Sequence, residues 1–120
     1  MKTAKTSELS GAALDWAVAK CKGWIKGDIT HPKFCRLWRD QIRTPAIYPS
    51  TSWAQGGPII ERERIATSYH PNPNTPGWEP WVATTKSYRA DGPTPLIAAM
   101  RCFCASRLGD EVEIPKELMT

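Results

Sequence analysis

The sequence predicts an α+β fold, with an N-terminal and a C-terminal helix packed on a small, mainly antiparallel sheet. Two observations carry this. Residues 11–22 and 95–108 space their apolar side chains as helices do, between recognisable caps. The segments between and beyond them are short β-like runs bounded by proline and glycine.

The elements follow in order. A short strand is expected near Lys2 to Thr6. Ser10 offers an N-cap, and Leu9 and Leu14 have the spacing of a hydrophobic staple. Leu14, Ala17, Val18 and Cys21 form one stripe of the first helix, and Gly23 suits its end, with Lys20 and Lys22 at the negative end of the dipole. Trp16 lies off that stripe and is expected to pack on a second layer, a sheet or a partner chain. Trp24-Ile25 is expected to open a strand, and Phe34 to Ile42 a short helix with Arg36, Arg39 and Arg43 on another face. Pro58 to Ile65 reads as a strand, with Glu61 and Glu63 on one side and Arg62 and Arg64 on the other. His70 to Gly77 is a loop, because its three prolines fix φ and remove donors. Trp78 to Thr84 reads as a strand that Pro80 marks as an edge or irregular strand, and Lys86 to Gly92 as a connection. Thr94 caps the last helix, Pro95 takes its first position, and Gly109 ends it. Arg101 and Arg107 are expected to point away from its apolar stripe. The alternating tail Glu111 to Pro115 adds a short strand.

The totals narrow the class. A chain of 120 residues makes one domain, 1–120, able to bury a core without metals or disulfides. No long apolar run and no export leader is read, so a membrane span is not expected and the default compartment is the cytosol. Cys21, Cys35, Cys102 and Cys104 contain no C-x-x-C pair, and His31 lies apart from them, so buried reduced thiols are expected rather than zinc. Net charge is +4, with basic residues gathered between Lys20 and Arg43 and acids from Asp110 onward. The basic segment would favour an anionic partner, but the excess is modest for a duplex-DNA binder.

No catalytic set is read. His31 and His70 both precede proline, and no phosphate loop, dinucleotide fingerprint or metal-binding H-E-x-x-H is present. Two binding signals remain. The first is the stretch YPSTSWAQGGPIIE, Tyr48 to Glu61, which is expected to form a recognition loop. Tyr48, Ser50 and Thr51 set its turn. Trp53 would stack on a planar ring, while Gln55 and the bare backbone of Gly56 and Gly57 would hydrogen-bond. The second is Thr94 at the start of the last helix, whose free N–H groups suit an anion. Arg62 or Arg101 would supply charge. The bland alternatives are a core tryptophan at a tight strand entry and an ordinary capped helix.

Three blocks, ELSGAALDWAVAKCKG (Glu8–Gly23), YPSTSWAQGGPIIERE (Tyr48–Glu63) and GPTPLIAAMRCFCASRLGDEVEIP (Gly92–Pro115), closely resemble the phage NinX family, a small domain of tailed-phage genomes. That pattern often places an acidic residue before the tryptophan, where this chain has Ser52, so no carboxylate role carries over. Residues 25–47 depart from the family's usual text. The resemblance implies a phage origin and a host-cytoplasm setting, and brings no catalytic residues and no cofactor. By analogy with small phage sponges for nucleotide immune signals, it implies a nucleotide-like ligand. The excess of tryptophan suggests a homo-oligomer. Two alternatives stand beside this reading. One is an interaction module for a host or phage protein, and the other is nucleic-acid binding linked to phage recombination or replication.

Overall fold

The computed structural model describes residues 2–24 and 47–118. The residues expected to continue a strand from Ile25, the Phe34–Ile42 helix with its arginines, His31 and Cys35 lie outside the described residues.

Among the described residues there are three helices and two antiparallel sheets. Strands β1 (Lys2–Lys5) and β5 (Glu111–Ile114) pair with each other, Lys2 opposite Ile114. Strands β2 (Ala66–Tyr69), β3 (Trp81–Thr84) and β4 (Arg89–Gly92) form the second sheet in that order. The helices are α1 (Gly11–Lys22), α2 (Trp53–Glu63) and α3 (Pro95–Leu108). As expected, the first and last helices pack with the sheets.

Helix α3 is the centre of the molecule. It lies on β3 and β4 and also meets α1, α2, β2 and β5. Residues Ala98 to Ala105 are all buried, so the helix is covered on every face and its apolar stripe is wider than the spacing alone indicates. Its Met100, Phe103 and Cys104 join Leu14, Trp16, Ala17 and Val18 of α1 in the core. The sheet comes close because its facing residues are small. Ala83 pairs with Ala90, and Trp81 with Gly92, on one face. A Cβ on Gly92 would lie 2.6 Å from the Ala98 nitrogen.

Helices α1 and α3 have the caps the sequence predicts. Gly23 is left-handed at φ 65°, and Thr94 Oγ1 accepts the Ile97 N–H at 3.1 Å. Ser10 takes the N-cap position of α1 without a side-chain hydrogen bond. Trp24 belongs to that helix's closing turn, donating its N–H to the Ala19 carbonyl.

Three expectations are corrected. The loop and strand expected over residues 48–65 are a turn followed by α2. Pro58 lies inside that helix, where it removes the bond to the Ala54 carbonyl and crowds it, but both residues face water, which can satisfy that carbonyl. The strand expected from Trp78 starts at Trp81 and is central, since Pro80 precedes the pairing. Residues 89–92, expected to be a connection, form β4, and β2 occupies residues expected to follow a strand. The alternation of Glu61, Arg62, Glu63 and Arg64 therefore places no charges on two faces of a strand.

Candidate functional site

The segment singled out in the sequence begins as a tight turn. Thr51 and Ser52 both donate their N–H groups to the Tyr48 carbonyl, at 3.0 and 2.7 Å. Gln55 Oε1 accepts the Tyr48 N–H at 2.6 Å, so this amide oxygen closes its own turn. Ser50 is buried, and its N–H donates to Asp15 Oδ1 at 2.9 Å. Among the described residues its Oγ has no hydrogen-bond partner.

Trp53 is the first residue of α2 and is 58 % exposed. The N-cap, Ser52, makes no side-chain cap, and the Trp53 and Ala54 N–H groups have no acceptor among the described residues. The exposed indole thus borders an uncapped helix start. Three residues on, Gly56 is buried, and a Cβ there would collide with the Pro49 carbonyl oxygen and lie 2.5 Å from Leu96 Cδ1. The opening turns of α2 and α3 are therefore in contact. Gly57 is half-buried with nothing near its missing side chain. Thr94 is exposed, its hydroxyl engaged as a cap.

Two residues depart from the arrangement expected. Arg62 is exposed, but nine positions beyond Trp53 place it roughly half a turn round the helix, on the opposite side. Arg101 is buried instead of pointing out. It donates to the Leu9 carbonyl at 2.7 Å, to the Asp91 carbonyl at 2.9 Å, and to Glu79 at 3.0 Å. Its guanidinium is consumed inside the fold.

Sequence reasoning missed α2 because glycine, glycine and proline read as breakers. The usable signal was the spacing of Gly56, Ile59, Ile60 and Glu63, the covered side of the helix. It also missed Asp15, whose carboxyl is pushed up to about 6 by burial, against the contacts of Ser50.

The thiols were expected to be buried and reduced. Cys102 and Cys104 are buried and free, and Cys21 is half-buried and free. Cys21 and Cys104 face one another. Their contact lowers the Cys21 thiol and, with burial, raises that of Cys104. Among the described residues, no group of three His, Cys, Asp or Glu could hold a metal ion. Ser68 Oγ and His70 Nε2 are 2.9 Å apart on the exposed β2 edge, with no carboxylate hydrogen-bonded to that ring among the described residues.

Two open hollows flank Tyr88, away from Trp53. One of about 440 Å³ is lined by Arg64, Thr85, Lys86 and Ser87, among others. The other, about 580 Å³, carries mixed charge from Lys5, Arg89, Asp110 and Glu111. No described helix is long and apolar enough to cross a membrane.

Fold and surfaces together define a small α+β protein built on a buried helix, with polar groups displayed at helix ends and hairpin turns. The family model described as Bacteriophage P22, NinX matches residues 5–107, and the chain belongs to that family. The match takes in the first two blocks and the third as far as Arg107, and it runs through residues 25–47. No curated protein matches the chain.

Proposed function

We propose that this phage protein is a non-enzymatic accessory binder of a small anionic, aromatic ligand of the nucleotide class, sequestering it in the host cytoplasm. The observation that carries the reading is the exposed Trp53 indole beside the free N–H groups of its own helix start. An indole face stacks on a base, and a helix N-terminus favours a phosphate. Thr51 and Ser52 border the same turn and add hydroxyls. Gln55, Gly56 and Ser50 support the turn from behind, and Arg62 and Arg101 are left out of the contact. Self-association through the exposed tryptophans would add a second copy of the platform.

Isothermal titration against a panel of cyclic and linear nucleotides tests this. At least one should bind saturably, and Trp53→Ala should weaken it about tenfold or more, the worth of one stacked base. Absence of heat and of thermal shift with every member would overturn the reading.

A second reading is favoured by the exposure of Trp24, Trp53, Trp78 and Tyr69 and by the internal engagement of Gln55 Oε1, Thr94 and Arg101. Exposed aromatics of this kind anchor protein interfaces. A stoichiometric protein partner recovered from infected cells, retained at moderate salt and lost with Trp53→Ala, would favour it.

A further inference from the structure

Helix α2 ends in an unusual residue. Arg64 has φ 55° and ψ 49°, its N–H reaches the Glu61 carbonyl, and the Ile65 N–H returns to the Ile60 carbonyl at 3.0 Å. This is a Schellman ending, whose left-handed position glycine fills at least cost. Helix α1 closes the same way with Gly23, and Trp24 returns to Ala19. Arg64 is the one non-glycine residue at positive φ among the described residues. An arginine held there against its backbone preference invites a functional explanation.

Its surroundings provide one. Arg64 lines the 440 Å³ hollow with Lys86 of the β3–β4 turn. The acid in that wall, Glu63, is already paired with Arg107 at 2.6 Å. Arg64 and Lys86 have no ion-pair or hydrogen-bonding side-chain partner among the described residues. Two cations thus border one hollow without a counter-charge. Hydroxyls complete it. Ser87 is exposed in its wall, beside Thr85, whose Oγ1 accepts the Tyr88 N–H. Ile65 and the Tyr88 ring give an apolar flank. A wall of donors and cations matches a group that only accepts and carries more than one negative charge. The volume is that of ordinary small-molecule sites.

We propose that this hollow binds a phosphate-bearing small molecule, with Arg64 and Lys86 holding the phosphate and Tyr88 and Ile65 packing its organic part. It lies at the far end of α2 from Trp53, about 16 Å along an eleven-residue helix, and does not depend on that platform.

The test titrates the full chain with pyrophosphate and with AMP at low salt, and records thermal midpoints without ligand. The wild type should bind saturably. Lys86→Gln should weaken binding about tenfold, the worth of one charge-assisted contact. Arg64→Gly should weaken it at least as much while raising the ligand-free midpoint by roughly 3 °C, because backbone strain is released. Trp53→Ala should leave pyrophosphate binding unchanged, which separates this site from the platform. No binding of either probe by the wild type, wild-type affinity in Arg64→Gly, or a lowered midpoint in that variant would each overturn the proposal.

Discussion

At the scale of single residues, Asp15 is the most consequential side chain that no motif announces. It is 2 % exposed on α1, and its Oδ1 holds the Ser50 N–H that starts the turn before Trp53. Burial disfavours its charged form and pushes the carboxyl from 3.8 up to about 6. The folded state therefore binds this proton more tightly than the unfolded chain. The associated stability is fully present below pH 3.8 and is lost as pH rises through about 6. The difference amounts to on the order of 3 kcal/mol. Asp15→Asn keeps an acceptor for Ser50 and removes the ionisation. Urea unfolding should show it more stable than the wild type at pH 7, with the gap closing by pH 4, since other carboxylates titrate equally in both proteins. Asp15→Ala should instead lose about 1–3 kcal/mol at pH 4, where the wild-type carboxyl is neutral, because a buried N–H loses its acceptor. A constant gap between wild type and Asp15→Asn across that range would show that this carboxyl does not titrate as described.

At the scale of elements, α2 joins the turn to the core through one glycine and leaves the other free. Gly56 lies against the Pro49 carbonyl and Leu96, whereas Gly57 meets nothing. Gly56→Ala should destabilise by about 1–2 kcal/mol through overpacking, since a backbone oxygen cannot turn aside as a side chain can. Gly57→Ala should stabilise by about 1 kcal/mol, the ordinary gain of alanine over glycine in a helix. Thermal midpoints moving in the same direction for both would show that the contact with α3 is wrong. The same glycines explain what the sequence conceals. Helices α1 and α3 are legible from one end to the other because Gly23, Thr94, Pro95 and Gly109 mark their ends locally, and β1 and β5 are legible from position and alternation. Helix α2 is not, because Gly56 stands in its covered stripe as a blank and Pro58 sits where water can satisfy the Ala54 carbonyl. Strands β2 and β4 have four residues each, and β2 is exposed throughout, so neither carries enough apolar pattern to be seen. Of the candidate site, Trp53 and Thr94 were readable as types. Arg64 was not, since nothing local distinguishes a left-handed arginine from one on a strand.

At the scale of the whole molecule, one guanidinium connects parts that the chain keeps far apart. Arg101 projects from the buried face of α3 and bonds the Leu9 carbonyl just before α1, the Asp91 carbonyl in β4, and Glu79 before β3. Its side chain is 6 % exposed, whereas that of Glu79 is 39 % exposed. The two ends of the pair therefore differ in worth. Glu79 is half in water, so its Coulomb attraction is screened, and Glu79→Gln should cost less than about 1 kcal/mol. The carbonyls have no such recourse. Arg101→Met keeps most of the volume but takes the donors from both and severs the tie between the start of α1 and the three-stranded sheet. That should cost roughly 3 kcal/mol, several times the Glu79 effect. A chain of this size has about 5–15 kcal/mol in all. Chemical denaturation of the two variants separates the possibilities. A large loss in both would make the ion pair the main tie. A small loss in both would mean that the N-terminal segment is held by the core alone, through Leu9 and Leu14. Only a large loss in Arg101→Met beside a small one in Glu79→Gln fits an arginine that serves as a buried donor to two backbone carbonyls, unavailable to any ligand outside.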